Sequence, residues 1–153
     1  MTQEQKKLLL KDLCGRLPYG IKVKIPSMES PLRVLSINTN GVTWVRRDTG
    51  YPIEIDWENC KPYLFPLSSM TEEQKRELLS LTGYEPRCEE SCGFDSWGFY
   101  VNIVGEYKYK NNQESIILYP DEIGVDWLNK NHFDYRGLIE NGLAIDCTNL
   151  NIY

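Results

Sequence analysis

The chain has few residues of the kinds that announce a chemistry. It holds one histidine, His132, and five cysteines, Cys14, Cys60, Cys88, Cys92 and Cys147, in 153 residues. No apolar run approaches the ~18 residues that read as a membrane-spanning helix. Met1 to Lys11 carry several charges and no apolar core of the ~7–15 residues that a secretion signal needs. An odd cysteine count with no such signal predicts a cytoplasmic chain with free thiols. Cys14 and Cys147 both read as small buried hydrophobes. There is no G-x-G-x-x-G, P-loop, G-x-S-x-G, H-E-x-x-H or EF-hand pattern, so the common nucleotide, hydrolase and metal signatures are missing. Low-complexity stretches are also missing.

What is present is an ordinary globular composition, 41% hydrophobic and 25% charged. A chain of this length buries roughly 68–70% of its unfolded surface, enough for a core without a metal or disulfide. Net charge is −5, unevenly spread: residues 1–66 hold ten Lys/Arg against seven Asp/Glu, a net of +3, and residues 67–153 hold seven against fifteen, a net of −8. An acidic chain is repelled by phosphate backbones, which disfavours nucleic acid as a partner.

Local patterning predicts an α+β fold in two parts. Residues 1–66 read as a helix followed by a β-meander, and 67–153 as an α+β lobe sharing a core with it. Thr2 and Gln5 make a capping box for a helix to about Leu13, ended by Gly15 and Pro18. Ile21 to Ile25 alternate with lysines as a half-buried strand. Leu32 to Ile37 and Val42 to Arg46 pair across Asn40-Gly41, a hairpin signal because both residues tolerate φ > 0. Ile53, Ile55 and Trp57 alternate with Glu54 and Asp56. Such a meander must curl over its apolar face, which predicts a small SH3-like half-barrel. Lys61 to Pro66 reads as an extended connector. Thr71 and Gln74 cap a second helix to about Leu81. Glu85 to Trp97 reads as irregular. Strands are expected at 99–104, 106–109 and 115–119, forming a second small antiparallel sheet. Helices are expected from Asp121 to about Asn131 and, capped by Asp134, from Tyr135 to Glu140.

Three segments have specific wording: LKDLCGRLPYG (10–20), KPYLFPLSSMTEEQ (61–74) and DWLNKNHFDYRGLIENGLAID (126–146). Together they resemble a family from gut Bacteroidetes genomes and their phages for which no activity is assigned. The resemblance covers roughly a third of the chain. It implies a prokaryotic or phage protein and carries no catalytic residue over. Residues 86–113 depart from the family pattern and read as an insertion or variable region.

Candidate chemistries are sparse. Cys88 and Cys92, with His132, are spaced to supply three zinc ligands, but without a second cysteine pair free thiols are the better reading, and no metal or cofactor is expected. His132 is the one residue through which imidazole catalysis would run, with Asp134 two residues on to orient it. A loop-closing hydrogen bond is the simpler role for that ring, and Asp134 is better used as a helix cap. Glu54 and Asp56 share a strand face, where charges ordinarily point to solvent. Lys22, Lys24, Arg33, Arg46 and Arg47 would form the contact face of a nucleic-acid binder. Aromatics are the enriched feature, with ten Tyr, four Trp and four Phe. Trp44, Trp57 and Trp127 are expected in the core, whereas Tyr107 and Tyr109 alternate with lysines and are candidate protein contacts. The sum is a non-enzymatic protein-interaction module. A small His132 enzyme and a nucleic-acid binder are the alternatives. The hairpin is testable directly: Gly41→Val should lower stability by roughly 1 kcal/mol or more, because a β-branched residue is forced into a left-handed conformation. A thermal melt reads it.

Overall fold

The computed structural model describes residues 1–38, 42–46, 50–81, 89–95, 98–106, 113–118 and 122–153. For the strands between 89 and 118 the description is of backbone and register. Helix α1 spans Gln3–Arg16. Both bonds of the expected capping box form: the Gln5 N–H donates to Thr2 Oγ1 at 3.2 Å, and the Thr2 N–H donates to Gln5 Oε1 at 2.9 Å. The helix runs through Gly15 instead of stopping near Leu13. Gly15 is a contact point, since a Cβ there would lie 3.4 Å from Asn129 Nδ2. Pro18 sits in the 3-10 turn Leu17–Tyr19, and Gly20 ends that turn at φ 70°. Glycine takes such a left-handed cap without a Cβ clash.

Strands β1 (Lys22–Lys24), β2 (Leu32–Ile37), β3 (Val42–Arg46) and β4 (Ile53–Asp56) form the predicted antiparallel meander. Asn40-Gly41 and Arg47 to Thr49 lie outside the described residues. A 3-10 turn, Trp57–Asn59, then leads into β5 (Lys61–Pro66). This stretch is an inner strand, which corrects the connector expected from its prolines. Proline biases its predecessor towards extended backbone, and a strand is one form of that. Pro62 lies opposite Val23 of β1, and Pro66 ends the strand.

The second half of the chain completes the same sheet. Short strands β9 (Phe133–Asp134) and β10 (Ile145–Asp146) both run parallel to β5. The Phe65 N–H donates to the His132 carbonyl, and the Leu64 carbonyl accepts from the Cys147 N–H, each at 2.9 Å. The Leu64 C=O and Phe65 N–H belong to one trans peptide unit and point to opposite edges of the strand, so β9 and β10 hold opposite edges of β5. The path through the seven-stranded sheet is β10-β5-β1-β2-β3-β4, with β9 beside β5. Among the described residues β4 pairs only with β3, leaving its other edge open.

Helix α2 (Glu72–Leu81) is capped by Thr71 and Gln74 as expected. Strands β6 (Glu89–Asp95), β7 (Gly98–Glu106) and β8 (Gln113–Leu118) form a separate three-stranded antiparallel sheet. Thus 89–95 is a strand where the sequence suggested irregular chain, and β7 continues through Gly105 as one element. Helix α3 spans Glu122–Lys130. No helix forms over 135–140, where the chain makes successive turns. Gly137 at φ 71° interrupts any helical path. The Asp134 carboxylate accepts the N–H groups of Leu138 at 2.9 Å and Ile139 at 2.7 Å, four and five residues on. A helix cap accepts two or three residues on, so Asp134 closes a wider loop.

Two apolar clusters result. One joins Leu9 and Leu13 of α1 to Ile21, Val23, Leu32, Val34 and Val45 of the sheet. The other gathers Leu67, Met70 and Leu78 with Trp127, Leu128 and Phe133. Trp127 stacks on Phe133 with ring centroids 5.8 Å apart. The buried stripe of α1 is Leu9, Asp12, Leu13 and Arg16, so two ionisable residues share it with two leucines. Arg16, fully buried, donates to Asp12 Oδ2 at 2.8 Å and to the Phe133 carbonyl at 2.7 Å, and reaches the Leu128 carbonyl at 3.4 Å. Arg136 donates to the other Asp12 oxygen at 3.0 Å. One guanidinium therefore ties α1 to the end of α3 and to β9. Arg16→Ala should cost about 3–5 kcal/mol, because Asp12 loses its fully buried partner. Trp127→Ala should cost a similar ~3–5 kcal/mol through the cavity it leaves. Denaturant melts check both.

Candidate functional site

His132 stands at the corner between α3 and β9. It is the one non-glycine residue with positive φ among the described residues, at 58°. Its N–H donates to the Asn129 carbonyl at 3.2 Å and its carbonyl serves Phe65, so backbone bonds on both sides hold this conformation. The ring is buried and stacks on Tyr153, with centroids 3.9 Å apart and planes 14° from parallel. The Tyr153 hydroxyl donates to the Tyr63 carbonyl at 2.9 Å and accepts the Lys22 N–H at 3.2 Å. No hydrogen bond reaches His132 Nδ1. This corrects the expected loop-closing bond: both Asp134 oxygens serve backbone N–H groups, so stacking holds the ring.

Burial pushes the imidazole down to about 4; the Arg16 and Lys22 charges act in the same direction and Asp12 opposes them. At neutral pH the ring is uncharged. A cleft of about 530 Å³ lies beside it, between the Thr71 cap of α2, Lys130 at the end of α3, and the rings of Phe65 and Tyr153. Among the described residues no Asp or Glu side chain lines this cleft. A general base needs a group to orient it and a matched pKa; among the described residues none bonds to the His132 Nδ1, and Tyr153 covers one face of the ring.

The three thiols whose side chains are described are not activated. Cys60 and Cys147 are buried, and burial pushes them up to about 12 and about 11. Cys14 is exposed, contrary to expectation, because it falls off the Leu9–Arg16 stripe of α1. Cys88 lies outside the described residues, as do Tyr107 and Tyr109, and Cys92 is placed in β6 by its backbone alone. Among the described residues no three His, Cys, Asp or Glu side chains group as metal ligands.

The outer face of the first sheet is built differently. Cα partners across a sheet share a face. Lys22 of β1 lies opposite Arg33 of β2, and Arg33 opposite Arg46 of β3. In the neighbouring row Lys24 faces Lys61 of β5. Arg47 is outside the described residues. Trp44, two residues before Arg46, is on the same face and 40% exposed. Its partners are Ser36 on β2 and Glu54 on β4. Trp44 thus leaves the core expected for it, because Thr43 and Val45 take the inner positions of β3. Trp57 and Trp127 are buried as expected. Glu54 and Asp56 are both exposed on β4. Lys24 Nζ is bound to the carbonyls of Met28 and Glu29, and Lys22 Nζ donates to the Ile152 carbonyl at 2.8 Å. Arg33 and Arg46 make no ion pair among the described residues.

Two members of this face, Lys61 and Trp44, were missing from the sequence-derived candidates. Lys61 joins it only because β5 is a strand beside β1. Alternation of Thr43 and Val45 with Trp44 and Arg46 was the available signal for the tryptophan. Comparison with protein-family profiles, with curated proteins and with solved structures finds no match.

The histidine generates a pH test. Its folded pKa lies below the unfolded value of 6.5, so the unfolded chain takes up the proton first. The stability this contributes is fully present above about 6.5 and is lost as pH falls towards about 4. Burial raises the Asp134 pKa, which acts with the opposite sign at acidic pH. The difference between parent and His132→Asn therefore isolates the histidine, and asparagine tolerates positive φ. Urea melts across pH 4–7 should show a shallower acid decline for His132→Asn.

Proposed function

We propose that the chain is a non-enzymatic protein-interaction module, acting in the cytoplasm, with the outer face of β1–β4 as its contact surface. The observation that carries this reading is Trp44, a large aromatic standing at 40% exposure among charged residues on a sheet face turned away from the core. Tryptophan and arginine are the residues most often found at the energetic centres of protein interfaces. The strand order β5-β1-β2-β3-β4, with a 3-10 turn before β5, supports the small half-barrel reading as the scaffold. The resemblance to proteins of gut Bacteroidetes and their phages points to a host factor as the partner and to modulation of that factor as the role.

The nucleic-acid alternative draws on the Lys22–Arg33–Arg46 row. The enzyme alternative has less support, since His132 is neutral, stacked and without an orienting carboxylate. Immobilised protein incubated with bacterial extract tests the module reading. A captured protein should be retained by the parent and by His132→Asn and lost with Trp44→Ala. Trp44→Ala should itself lower stability by about 1 kcal/mol, since an aromatic on a half-covered strand position gives up cross-strand packing, and a thermal melt confirms that the variant is folded. Equal capture by parent and Trp44→Ala would sink this choice of surface.

A further inference from the structure

We infer that the outer face of the first sheet recognises an extended protein segment of split charge, acidic at one end and basic at the other, with an apolar residue over Trp44. The inference rests on the binding-module reading and adds the chemistry of the partner. It starts from an arrangement that folding does not require. Lys22, Arg33 and Arg46 are consecutive cross-strand partners, and Lys24 faces Lys61 in the next row. Like charges directly opposite one another destabilise a sheet. A chain of net charge −5 nevertheless gathers five cations on β5, β1, β2 and β3. The two arginines make no ion pair among the described residues, so their donors are open to an anion. Arg33 is also given room by Gly20, where a Cβ would lie 3.2 Å from its Nε.

The sign of the face then changes. On β4 the outward positions are Glu54, directly opposite Trp44, and Asp56. Along the diagonal from Lys61 on β5 through Arg33 on β2 to Trp44 on β3 and Glu54 on β4, the face reads positive, then aromatic, then negative. A nucleic-acid strand carries one sign of charge along its whole length. It would meet the arginines favourably and then run against Glu54 and Asp56. A peptide can reverse sign within a few residues, so a protein segment matches this face and a polyanion does not. The five strands at ~4.8 Å spacing extend over roughly 19 Å, about six residues of extended chain.

A displayed library of random peptides about twelve residues long, twice that span, is selected on the immobilised full chain. Peptides enriched on the parent should carry Asp or Glu towards one end and Lys or Arg towards the other. The best of them should bind roughly tenfold more weakly to Arg33→Glu, and similarly to Arg46→Glu, as expected for one charge-assisted contact. Circular dichroism melts confirm that the variants fold; if either does not, Arg33→Gln and Arg46→Gln replace them with a smaller expected loss. Oligo(dT) should bind the parent more weakly than the best peptide, and should gain affinity on Glu54→Lys/Asp56→Lys, which makes the face uniformly positive. Enriched peptides without an acidic end would overturn the charge assignment while leaving the module reading in place. A library that enriches nothing would overturn both. Oligo(dT) binding the parent as tightly as the best peptide would replace the protein segment with nucleic acid.

Discussion

The fold depends on one buried guanidinium. Arg16 lies on the apolar stripe of α1, fully buried, and answers three separate needs. It neutralises Asp12 one turn earlier, and it satisfies the carbonyls of Leu128, at the end of α3, and Phe133, in β9. Tyr135 lies under both Arg16 and Arg136, with the guanidinium carbons 5.4 and 4.4 Å from its ring centroid. A charged group in an apolar interior is tolerated only when it is paired and its donors are used. The first helix can therefore sit where it does only once the last third of the chain has folded against it. The two apolar clusters are joined through this polar seam.

That seam also explains the character of His132. The α3–β9 corner must deliver the Leu128 and Phe133 carbonyls to Arg16 and the His132 carbonyl to Phe65. A short corner with three such obligations takes a left-handed residue, and histidine is one of the side chains more often found there. Its ring then falls beside the Arg16 charge and beneath Tyr153, and burial with that charge keeps it neutral. A solitary histidine in a sequence invites a catalytic reading. Here the stack, the missing orienting group and the lowered pKa have a structural origin in the same corner.

Surface and core divide along the strands. Inner positions of β1–β3 are Val23, Leu32, Val34 and Val45, all but fully buried, while the partners beside them carry the charges. Sorting by sign occurs across the sheet, between strands far apart in sequence, and no single strand contains it. The cations come from residues 22 to 61 and the acids from a strand between them in sequence but at the far edge in space. A surface sorted in this way attracts charge of one sign at one edge and repels it at the other.

Much of the local structure was legible from neighbouring residues. Thr2 with Gln5 and Thr71 with Gln74 placed two helix starts, because a cap needs residues three apart and nothing else. Alternation placed β1 to β4, since one face of a half-buried strand must be wet. Long-range decisions were not legible. Lys61 to Pro66 became an inner strand because β1, β9 and β10 supply its partners, two of them from more than sixty residues away. Glu89 to Asp95 became a strand through pairing with β7. Tyr135 to Glu140 stayed non-helical because Asp134 bonds further along the chain than a cap would. Asp12 lies on a stripe with Leu9 and Leu13, so the sequence by itself determined that it would share their helix face, whereas Arg16 joined that face only because the helix runs on through Gly15. Whether that face met water or the interior was decided only by tertiary structure, because a buried ion pair persists where distant carbonyls and a second arginine complete its hydrogen bonds.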